Sequence, residues 1–256
     1  MTRTREFLRS LAWSSRAWLA VSSALVVLAG AAAALAVTIE DVTQHNGLST
    51  SDAPHLRFFV DHRGDRLVTA AKVVTQAGAA PVLALLGVVV AVGLWWRGAR
   101  VIVAVAPTIA LGAGAVAASV VKQLIGRARP PISVRLVNET EASFPSGHAT
   151  DSAAFYITLA LVLAVFVFRR PLARVVTTAA GFAIAGCIGL SRLVLGVHWP
   201  TDVLAGWALG TTTSVLVVLV VSGLNRVEPR SSEGAQLRVR LMMLLHARRS
   251  YGLRAV

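Results

Sequence analysis

Three short segments of the sequence carry polar residues whose types and spacing could support chemistry. They read KQLIGRARP (residues 122–130), FPSGHATD (residues 144–151) and SRLVLGVHWPTD (residues 191–202), and apolar runs separate them. The side chains of interest are Lys122, Arg127, Arg129, Ser146, Gly147, His148, Arg192, His198 and Asp202. The set combines cations, a serine–glycine step and two histidines, which are groups that can bind and transfer a charged oxyanion.

The cations of these segments suit a phosphate group. Arginine binds phosphate oxygens bidentately and lysine supplies a compact point charge, so Lys122, Arg129 and Arg192 could form a clamp. Ser146 and Gly147 directly precede an apolar run. Backbone N–H groups at the start of a helix point towards an anion, and the helix dipole aids the contact. The Ser-Gly step therefore predicts an oxyanion cradle beside the three cations.

The two histidines add a nucleophile and an acid–base group. Asp202 follows His198 by four residues, so its carboxylate could hold one ring nitrogen protonated and aim the other outward. This is the pairing of a nucleophile with an orienting group, and it leaves His148 as general acid and base. His198 and Asp202 could also be part of a metal site, but the sequence offers no convincing third ligand nearby. We expect neither a metal nor a cofactor.

Each of these residues also has an ordinary structural explanation. Interfacial Lys and Arg side chains often extend to lipid head groups, and a Pro-Ser step often starts a helix. Arg127 could contact a second phosphate or could be an ordinary interface charge. Asp151 could act on the protonation of His148, which shares its helix face, or could simply favour the helix N-terminus. The convergence of the whole set on one membrane face favours the chemical interpretation.

The order and spacing of these residues resemble a known family signature. The motifs are Lys122-x6-Arg129-Pro130, then Pro145-Ser146-Gly147-His148, then Ser191-Arg192-x5-His198-x3-Asp202. They are similar to the three motifs of the type-2 phosphatidic acid phosphatase and vanadium haloperoxidase superfamily. The membrane branch of that superfamily resembles this chain better than its soluble branches do, because the soluble branches lack long apolar spans.

The resemblance implies a role for each matched residue. His198 would attack phosphorus and form a phosphohistidine, while Asp202 would orient His198 and stabilise its positive charge. His148 would protonate the leaving alkoxide and then activate water. Fixed cations would take the place of magnesium in stabilising the phosphoryl group. The phosphoryl oxygens would be held by Lys122, Arg129, Ser146, the Gly147 backbone and Arg192.

The resemblance also implies a class of substrate. It predicts hydrolysis of a lipid phosphate or diphosphate, such as phosphatidic acid, phosphatidylglycerol phosphate or a polyprenyl diphosphate of the undecaprenyl type. A phosphohistidine could instead pass its phosphoryl group to an alcohol or sugar, which would make the protein a phosphotransferase. A non-catalytic protein that binds or transports a lipid phosphate is a further alternative, although His148, His198 and Asp202 are all present.

The elements that must position these motifs are membrane helices. The chain is 55% hydrophobic, and its mean hydropathy of +0.68 is high for a soluble domain. Backbone groups in lipid must be satisfied within their own segment, so long apolar runs form helices. The sequence predicts an all-α bundle of six transmembrane helices, with the three motifs at helix ends on one face. The predicted spans are about 17–39, 79–96, 101–121, 149–168, 172–190 and 203–224.

The net charge of +13 falls on the face opposite the motifs. The N-terminus, residues 97–100, residues 169–174 and the tail 225–256 hold that excess, whereas basic and acidic residues balance on the motif face. The positive-inside rule makes the basic face cytoplasmic. We therefore expect a multi-pass protein of the cell inner (plasma) membrane, with both termini cytoplasmic and the motifs extracytoplasmic. The basic tail suits anionic lipid better than nucleic acid, so the expected partners are the bilayer and a lipid phosphate.

The remaining features concern domain organisation. We expect a single membrane domain over residues 1–256, with the tail 225–256 as a basic cytoplasmic extension. Residues 40–78 form a polar outward loop that could contain an amphipathic helix around residues 56–74. The first span resembles a signal peptide, but its length favours an uncleaved helix. Cys187 lies in an apolar run and is predicted to be a small buried hydrophobe. The sequence does not predict the oligomeric state.

Overall fold

The computed structural model describes residues 2–227, and over this range the chain is helical and contains no β-strand. Single-turn 3₁₀ helices precede α2 and α7, and α7 includes two π-helical turns. The prediction of an all-α fold is confirmed. The α-helices are α1 (Thr2–Gln44), α2 (Asp52–Asp61), α3 (Asp65–Gln76), α4 (Ala80–Trp96), α5 (Val101–Ala104), α6 (Ala106–Ile125), α7 (Gly147–Val167), α8 (Pro171–Val194) and α9 (Pro200–Val227).

Most of these helices are built to cross a membrane. Within the described range, five segments are long and apolar enough to do so, namely Val21–Gln44 of α1 together with α6, α7, α8 and α9. Helices α3 and α4 together form a sixth candidate, although they are bent by 52° at the short break between them. The chain is therefore a multi-pass membrane protein with five candidate spanning helices and one bent pair within the described range.

Two predicted spans differ from the observed helices. The second, 79–96, corresponds to α4 alone, which has only 17 residues and is therefore about 26 Å long, shorter than a hydrocarbon core of about 30 Å. The third, 101–121, is interrupted after Ala104 and resumes as α6, which extends to Ile125. Pro107 explains the interruption because proline has no N–H for a helical hydrogen bond and fits only in the first turn.

Helix α9 is brought close to α7 by two glycines. A Cβ atom on Gly206 would lie 2.8 Å from the carbonyl oxygen of Ser146, and one on Gly210 would lie 2.5 Å from that of Thr150. Both contacts involve backbone, so only glycine permits this approach. The hydroxyl of Ser214 lies one turn further along, 3.1 Å from the carbonyl oxygen of Ala153. This packing joins the start of the second motif to the start of α9, where the third motif ends.

The segment between the first two spans folds as a helical hairpin rather than as one amphipathic helix. Helix α2 ends at Asp61 and α3 begins at Asp65, so the predicted helix around residues 56–74 is broken. The guanidinium of Arg63 in the turn donates to the carbonyl oxygens of Val134 and Val194, at 2.8 and 3.2 Å. These bonds tie the hairpin to the segments that carry the motifs.

The three motifs meet at one end of the bundle. The first motif begins in the last turn of α6, the second leads into α7, and the third joins the end of α8 to the start of α9. The opposite end carries the arginine-rich turns 97–100 and 169–174, where Arg100 donates to the carbonyl oxygen of Asn225 at 3.1 Å. Most of the predicted basic tail, residues 228–256, lies outside the described residues.

Cys187 contradicts the sequence prediction. It is exposed on α8 instead of being buried in the bundle. An apolar run predicts burial in a soluble protein, but a membrane helix can turn apolar side chains towards lipid tails at little cost. Its exposure is thus consistent with a helix that faces the bilayer.

Candidate active site

His198 lies in the turn between α8 and α9, and its side chain is almost completely buried. Its Nδ1 is 3.4 Å from Oδ2 of Asp202, and its Nε2 is 3.0 Å from a terminal nitrogen of Arg129. A guanidinium can only donate a hydrogen bond, so this contact assigns the lone pair to Nε2 and the proton to Nδ1. The ring in this tautomer has an unprotonated Nε2 directed towards Arg129.

The protonation of His198 agrees with that assignment. Burial lowers the pKa of His198 to about 4, although the hydrogen bond and the charge of Asp202 act in the opposite direction. Burial dominates because a charged imidazolium loses more hydration than a neutral ring. The side chain is therefore neutral at pH 7 and keeps the lone pair that a nucleophile needs.

Asp202 is fully buried at the start of α9 and is surrounded by hydrogen-bond donors. Its Oδ2 accepts from the hydroxyl of Ser143 and, at 2.8 Å, from the backbone N–H of Trp199. Its Oδ1 accepts from Arg127 at 2.6 Å. A buried carboxylate needs such partners to remain charged. The sequence had suggested the contact with His198, but it gave no sign of the one with Ser143.

Arg129 lies beside His198 and is held from several directions. Its Nε donates to the carbonyl oxygen of Glu141 at 2.8 Å, and NH1 donates to that of Val197 at 2.9 Å. Its NH2 is 3.6 Å from a carboxylate oxygen of Glu139. These bonds fix the guanidinium next to Nε2 of His198, where a phosphoryl oxygen would have to lie during attack.

Lys122 and Arg192 approach the same short loop. The ammonium of Lys122 donates to the carbonyl oxygen of Ala142 at 2.7 Å and lies 3.4 Å from the carboxylate of Glu141. Arg192 is only 2% exposed; it donates to the hydroxyl of Thr75 at 2.8 Å and forms a close ion pair with Glu139. The three predicted cations are thus brought together around the loop that contains these two glutamates.

Glu139 bridges two of the cations through its carboxylate. Burial raises the pKa of the Glu139 carboxyl, but the nearby charges of Arg192 and Arg129 outweigh this effect and hold the pKa below its usual value. The side chain is therefore ionised at neutral pH. A carboxylate held between two arginines has the charge and the planar oxygens that a bound phosphate would present. Glu139 was not identified from the sequence, because a glutamate in a polar loop carries no periodic signal.

The serine–glycine step is only partly available to an anion. The N–H of Ser146 donates to the carbonyl oxygen of Asp202 at 3.0 Å, and its buried hydroxyl accepts weakly from Ala149 at 3.5 Å. The backbone N–H of Ser146 is therefore engaged by the third motif, which leaves Gly147 to supply the backbone donor of the predicted cradle. Gly147 begins α7, so the helix leaves its N–H unused, and a Cβ atom there would meet nothing within 4 Å.

His148 lies in the first turn of α7 and faces the same group of charges. The charged or ionisable groups that act on it are those of Arg192, Glu139, His198 and Arg129. Its ring is also close to the bend between α3 and α4. On the same turn, Oδ1 of Asp151 is buried and has no hydrogen-bond partner among the described residues. His148 is thus within electrostatic range of His198 and of the cations, where an acid–base group could act on a leaving oxygen.

Arg127 lies away from the three cations, between two carboxylates. One terminal nitrogen donates to Asp202 at 2.6 Å, and the other donates to Asp52 at 2.6 Å. The guanidinium also lies 5.6 Å from the ring centre of Trp199, in cation–π contact. With both terminal nitrogens engaged, the geometry does not favour a contact with a second phosphate, one of the two alternatives that the sequence left open. Asp52 is a buried residue that sequence reasoning missed entirely.

No group of three or more His, Cys, Asp or Glu side chains suited to a metal ion occurs among residues 2–227. His198 and Asp202 are engaged instead by donors from Arg129, Arg127 and Ser143. The donors around this pair are two guanidinium groups and a hydroxyl, a set that suits an anion better than a metal ion.

Comparison with known proteins supports the family suggested by the motifs. A family model described as the PAP2 superfamily matches residues 101–226. Phosphatidylglycerophosphatase B of Bacillus subtilis is 34% identical over 150 residues, which cover 56% of this chain and 70% of that protein. The lipid A 1-phosphatase of Rhizobium johnstonii is 34% identical over 136 residues, covering 48% of this chain and 50% of that protein.

A solved structure extends the similarity to the fold. The crystal structure of the transmembrane PAP2-type phosphatidylglycerolphosphate phosphatase from Bacillus subtilis matches with a TM-score of 0.68 and 25% identity, over 78% of this chain and 98% of that chain. The chain belongs to the PAP2 superfamily. It is accordingly a membrane phosphatase of the lipid-phosphate class, and all three motifs lie inside the matched range.

Proposed function

We propose that this protein hydrolyses a lipid phosphate or lipid diphosphate through a phosphohistidine on His198. One observation carries the proposal: the buried, neutral His198 directs its Nε2 towards Arg129 and its Nδ1 towards Asp202. A nucleophile at the edge of a group of fixed cations is suited to attack on a phosphoryl group, whose charge those cations stabilise. The names of the relatives, which act on phosphatidylglycerophosphate and lipid A, support a lipid substrate.

The first chemical step transfers the phosphoryl group to the protein. Nε2 of His198 attacks phosphorus, the bond between phosphorus and the lipid oxygen breaks, and His148 gives its proton to that oxygen. The carboxylate of Asp202 faces the Nδ1 proton and stabilises the positive charge on the phosphorylated ring. The lipid alcohol, or a lipid monophosphate from a diphosphate, then leaves.

The second step regenerates the protein. His148, now neutral, takes a proton from water while the water oxygen attacks phosphorus. The bond between phosphorus and Nε2 breaks, and the lone pair returns to His198. Inorganic phosphate is left among Lys122, Arg129 and Arg192, and its departure completes the reaction. The N–H of Gly147 and the hydroxyl of Ser146 are proposed to contribute to phosphate binding.

The charge distribution supports a proposal for the sidedness of the reaction. The site lies at one end of the bundle, and the turns that contain Arg97, Arg100, Arg169, Arg170 and Arg174 lie at the other. The positive-inside rule supports a cytoplasmic position for the arginine-rich end. The active site would then be extracytoplasmic in the plasma membrane, at the depth of lipid head groups, and both termini would be cytoplasmic.

The nucleophile is tested with the His198→Ala variant. Purified wild type and variant are incubated in detergent with a panel of lipid phosphates and diphosphates, including phosphatidylglycerophosphate, phosphatidic acid and undecaprenyl diphosphate. We expect phosphate release and an acid-labile phosphoprotein in the wild type only, with an unchanged melting temperature in the variant. Activity retained by a folded His198→Ala variant would refute the nucleophile. Product analysis with an added alcohol distinguishes hydrolysis from phosphotransfer.

The sidedness is tested by labelling in intact cells. Cys187 is replaced by alanine, and a single cysteine is then introduced at exposed Ser133 or at exposed Arg169. A membrane-impermeant maleimide should label the Ser133→Cys protein in intact cells and the Arg169→Cys protein only after lysis. The reverse pattern would place the site on the cytoplasmic face.

A further inference from the structure

Asp52 is a buried carboxylate that the proposed mechanism leaves without a role. It is 3% exposed and begins α2, in the segment between the first two spans. Its Oδ1 accepts from the backbone N–H of Thr201 at 2.9 Å, and its Oδ2 accepts from the hydroxyl of Thr201 and from Arg127 at 2.6 Å. Burying a charge is costly unless it is paired. These contacts supply both a positive charge and neutral donors to Asp52.

Arg127 connects this carboxylate to the one beside the nucleophile. Its NH1 donates to Oδ1 of Asp202 at 2.6 Å and to the hydroxyl of Thr201 at 2.8 Å. Its NH2 contacts Asp52. The planar guanidinium therefore spans two carboxylates with different nitrogens, so its orientation is set from both sides. Thr201, which precedes Asp202 in the chain, also takes part in this connection. Its hydroxyl accepts from Arg127 and donates to Asp52, and its backbone N–H donates to Asp52.

The two carboxylate oxygens of Asp202 have different hydrogen-bond partners. Arg127 occupies Oδ1, which leaves Oδ2 for His198, the hydroxyl of Ser143 and the N–H of Trp199. A carboxylate held by one oxygen cannot rotate without breaking that bond. The direction of Oδ2, and with it the orientation of the His198 ring, is thus set jointly by Arg127 on Oδ1 and by Ser143 and Trp199 on Oδ2.

We propose that Asp52, acting through Arg127 and Thr201, is a positioning residue that orients Asp202 and so aims His198 at phosphorus. The inference rests on the proposed function, since it assumes that His198 is the nucleophile. It extends the active site to the segment between the first two spans, which carries none of the three motifs. The hydrogen bonds that Asp52, Arg127 and Thr201 form with one another do not involve the clamp of Lys122, Arg129 and Arg192.

The charges give the proposal a specific electrostatic consequence. Asp52, Arg127 and Asp202 together carry a net charge of −1 next to His198. That charge favours the positive ring that forms when His198 is phosphorylated, and its effect is strong because the group is little hydrated. Replacing Asp52 by asparagine keeps the shape but makes the net charge zero. The phosphorylated ring then loses stabilisation, while the binding of the substrate phosphate is unaffected.

The first test is the Asp52→Asn variant of the full-length protein in detergent. We expect kcat to fall by about 10- to 100-fold, the loss that a small misplacement of a reacting group causes, with KM within about twofold of wild type. The acidic limb of the rate profile should move to lower pH, because a negative charge near His198 has been removed. A merely structural loosening would admit water and move that limb upward, towards the ordinary pKa of histidine, about 6.5.

A second pair of variants covers the case in which Asp52→Asn does not fold. Thr201→Val removes the hydroxyl at nearly constant volume, whereas Thr201→Ser retains it. Thr201→Val should lower kcat by about tenfold with KM unchanged, and Thr201→Ser should restore most of the loss. Equal kcat values for the valine and serine variants would overturn the proposal.

Comparison with His198→Ala separates the two levels of inference. An inactive His198→Ala variant together with a folded, fully active Asp52→Asn variant would overturn the positioning role and leave the proposed function standing. An active His198→Ala variant would remove the proposed function, whatever Asp52 does. A kcat loss in Asp52→Asn with a downward shift of the acidic limb supports both.

Discussion

The ion pair between Glu139 and the predicted phosphate clamp leads to a quantitative prediction. Glu139 contacts Arg192 closely and Arg129 at 3.6 Å, and these guanidinium groups are two of the three cations assigned to the substrate phosphate. A phosphate group that binds both arginines must therefore displace this carboxylate. Replacing Glu139 by glutamine preserves the shape of the side chain but removes the competing charge.

The size of the effect follows from the burial of the pair. A hydrogen bond to a charged group contributes about 1.5–3 kcal/mol when it is well shielded. The side chain of Glu139 is 27% exposed, and glutamine retains a neutral hydrogen bond, so the lower end of that range applies. A difference of about 1.4 kcal/mol corresponds to a factor of ten in binding. Glu139→Gln should therefore lower the inhibition constant of inorganic phosphate by about tenfold.

The assay measures product inhibition with a short-chain lipid phosphate in detergent. Initial rates are recorded at several phosphate concentrations for wild type, Glu139→Gln and a matched control, Glu141→Gln. The Glu141 side chain is 75% exposed and lies 3.4 Å from Lys122, so its loss should change the inhibition constant by less than about threefold, as is usual for exposed ion pairs. Sodium chloride is held constant because screening affects every variant.

Two outcomes would refute this reasoning. If Glu139 serves mainly to hold Arg192 in position, Glu139→Gln would weaken phosphate inhibition and raise KM together. An unchanged inhibition constant in a folded Glu139→Gln protein would equally contradict the idea that the carboxylate and phosphate compete for the same arginines.

Four further outcomes follow from the structure. Since burial lowers the pKa of His198 to about 4, the acidic limb of kcat/KM, corrected for substrate ionisation, should have its midpoint near pH 4; a midpoint near 6.5 would contradict a buried nucleophile. For the same reason the unfolded protein takes up this proton first, so the stability associated with neutral His198 should be complete above about pH 6.5 and decline as pH falls towards 4. Ser143→Ala, which removes a hydroxyl donor to Asp202, should lower kcat by about tenfold with little change in KM. Gly210→Ala places a Cβ atom 2.5 Å from the backbone of Thr150 and should destabilise the protein by about 1–3 kcal/mol, whereas Gly223→Ala on the same helix meets nothing within 4 Å and should leave the melting temperature nearly unchanged.

The sequence by itself determined the class of fold and the family. Long apolar runs can only be helices in a bilayer, and the spacings from Lys122 to Asp202 identify the superfamily that the comparisons support. Local spacing was sufficient for the pairing of His198 with Asp202, which are four residues apart. Local spacing could not predict the hydrogen bond of the Ser146 N–H, because its acceptor, the carbonyl oxygen of Asp202, belongs to another helix.

Tertiary structure decided which charges meet across long separations. Asp52 is 75 residues from Arg127 and 149 from Thr201, and no periodic pattern or motif connects them. Arg127 is close in sequence to Arg129, yet packing directs it towards two carboxylates rather than towards the phosphate clamp. Glu139 likewise meets Arg192 only because a loop folds back across the ends of the helices. Local spacing sets which residues share a helix end, but the partners of a buried charge are set by the packing of segments distant in the chain.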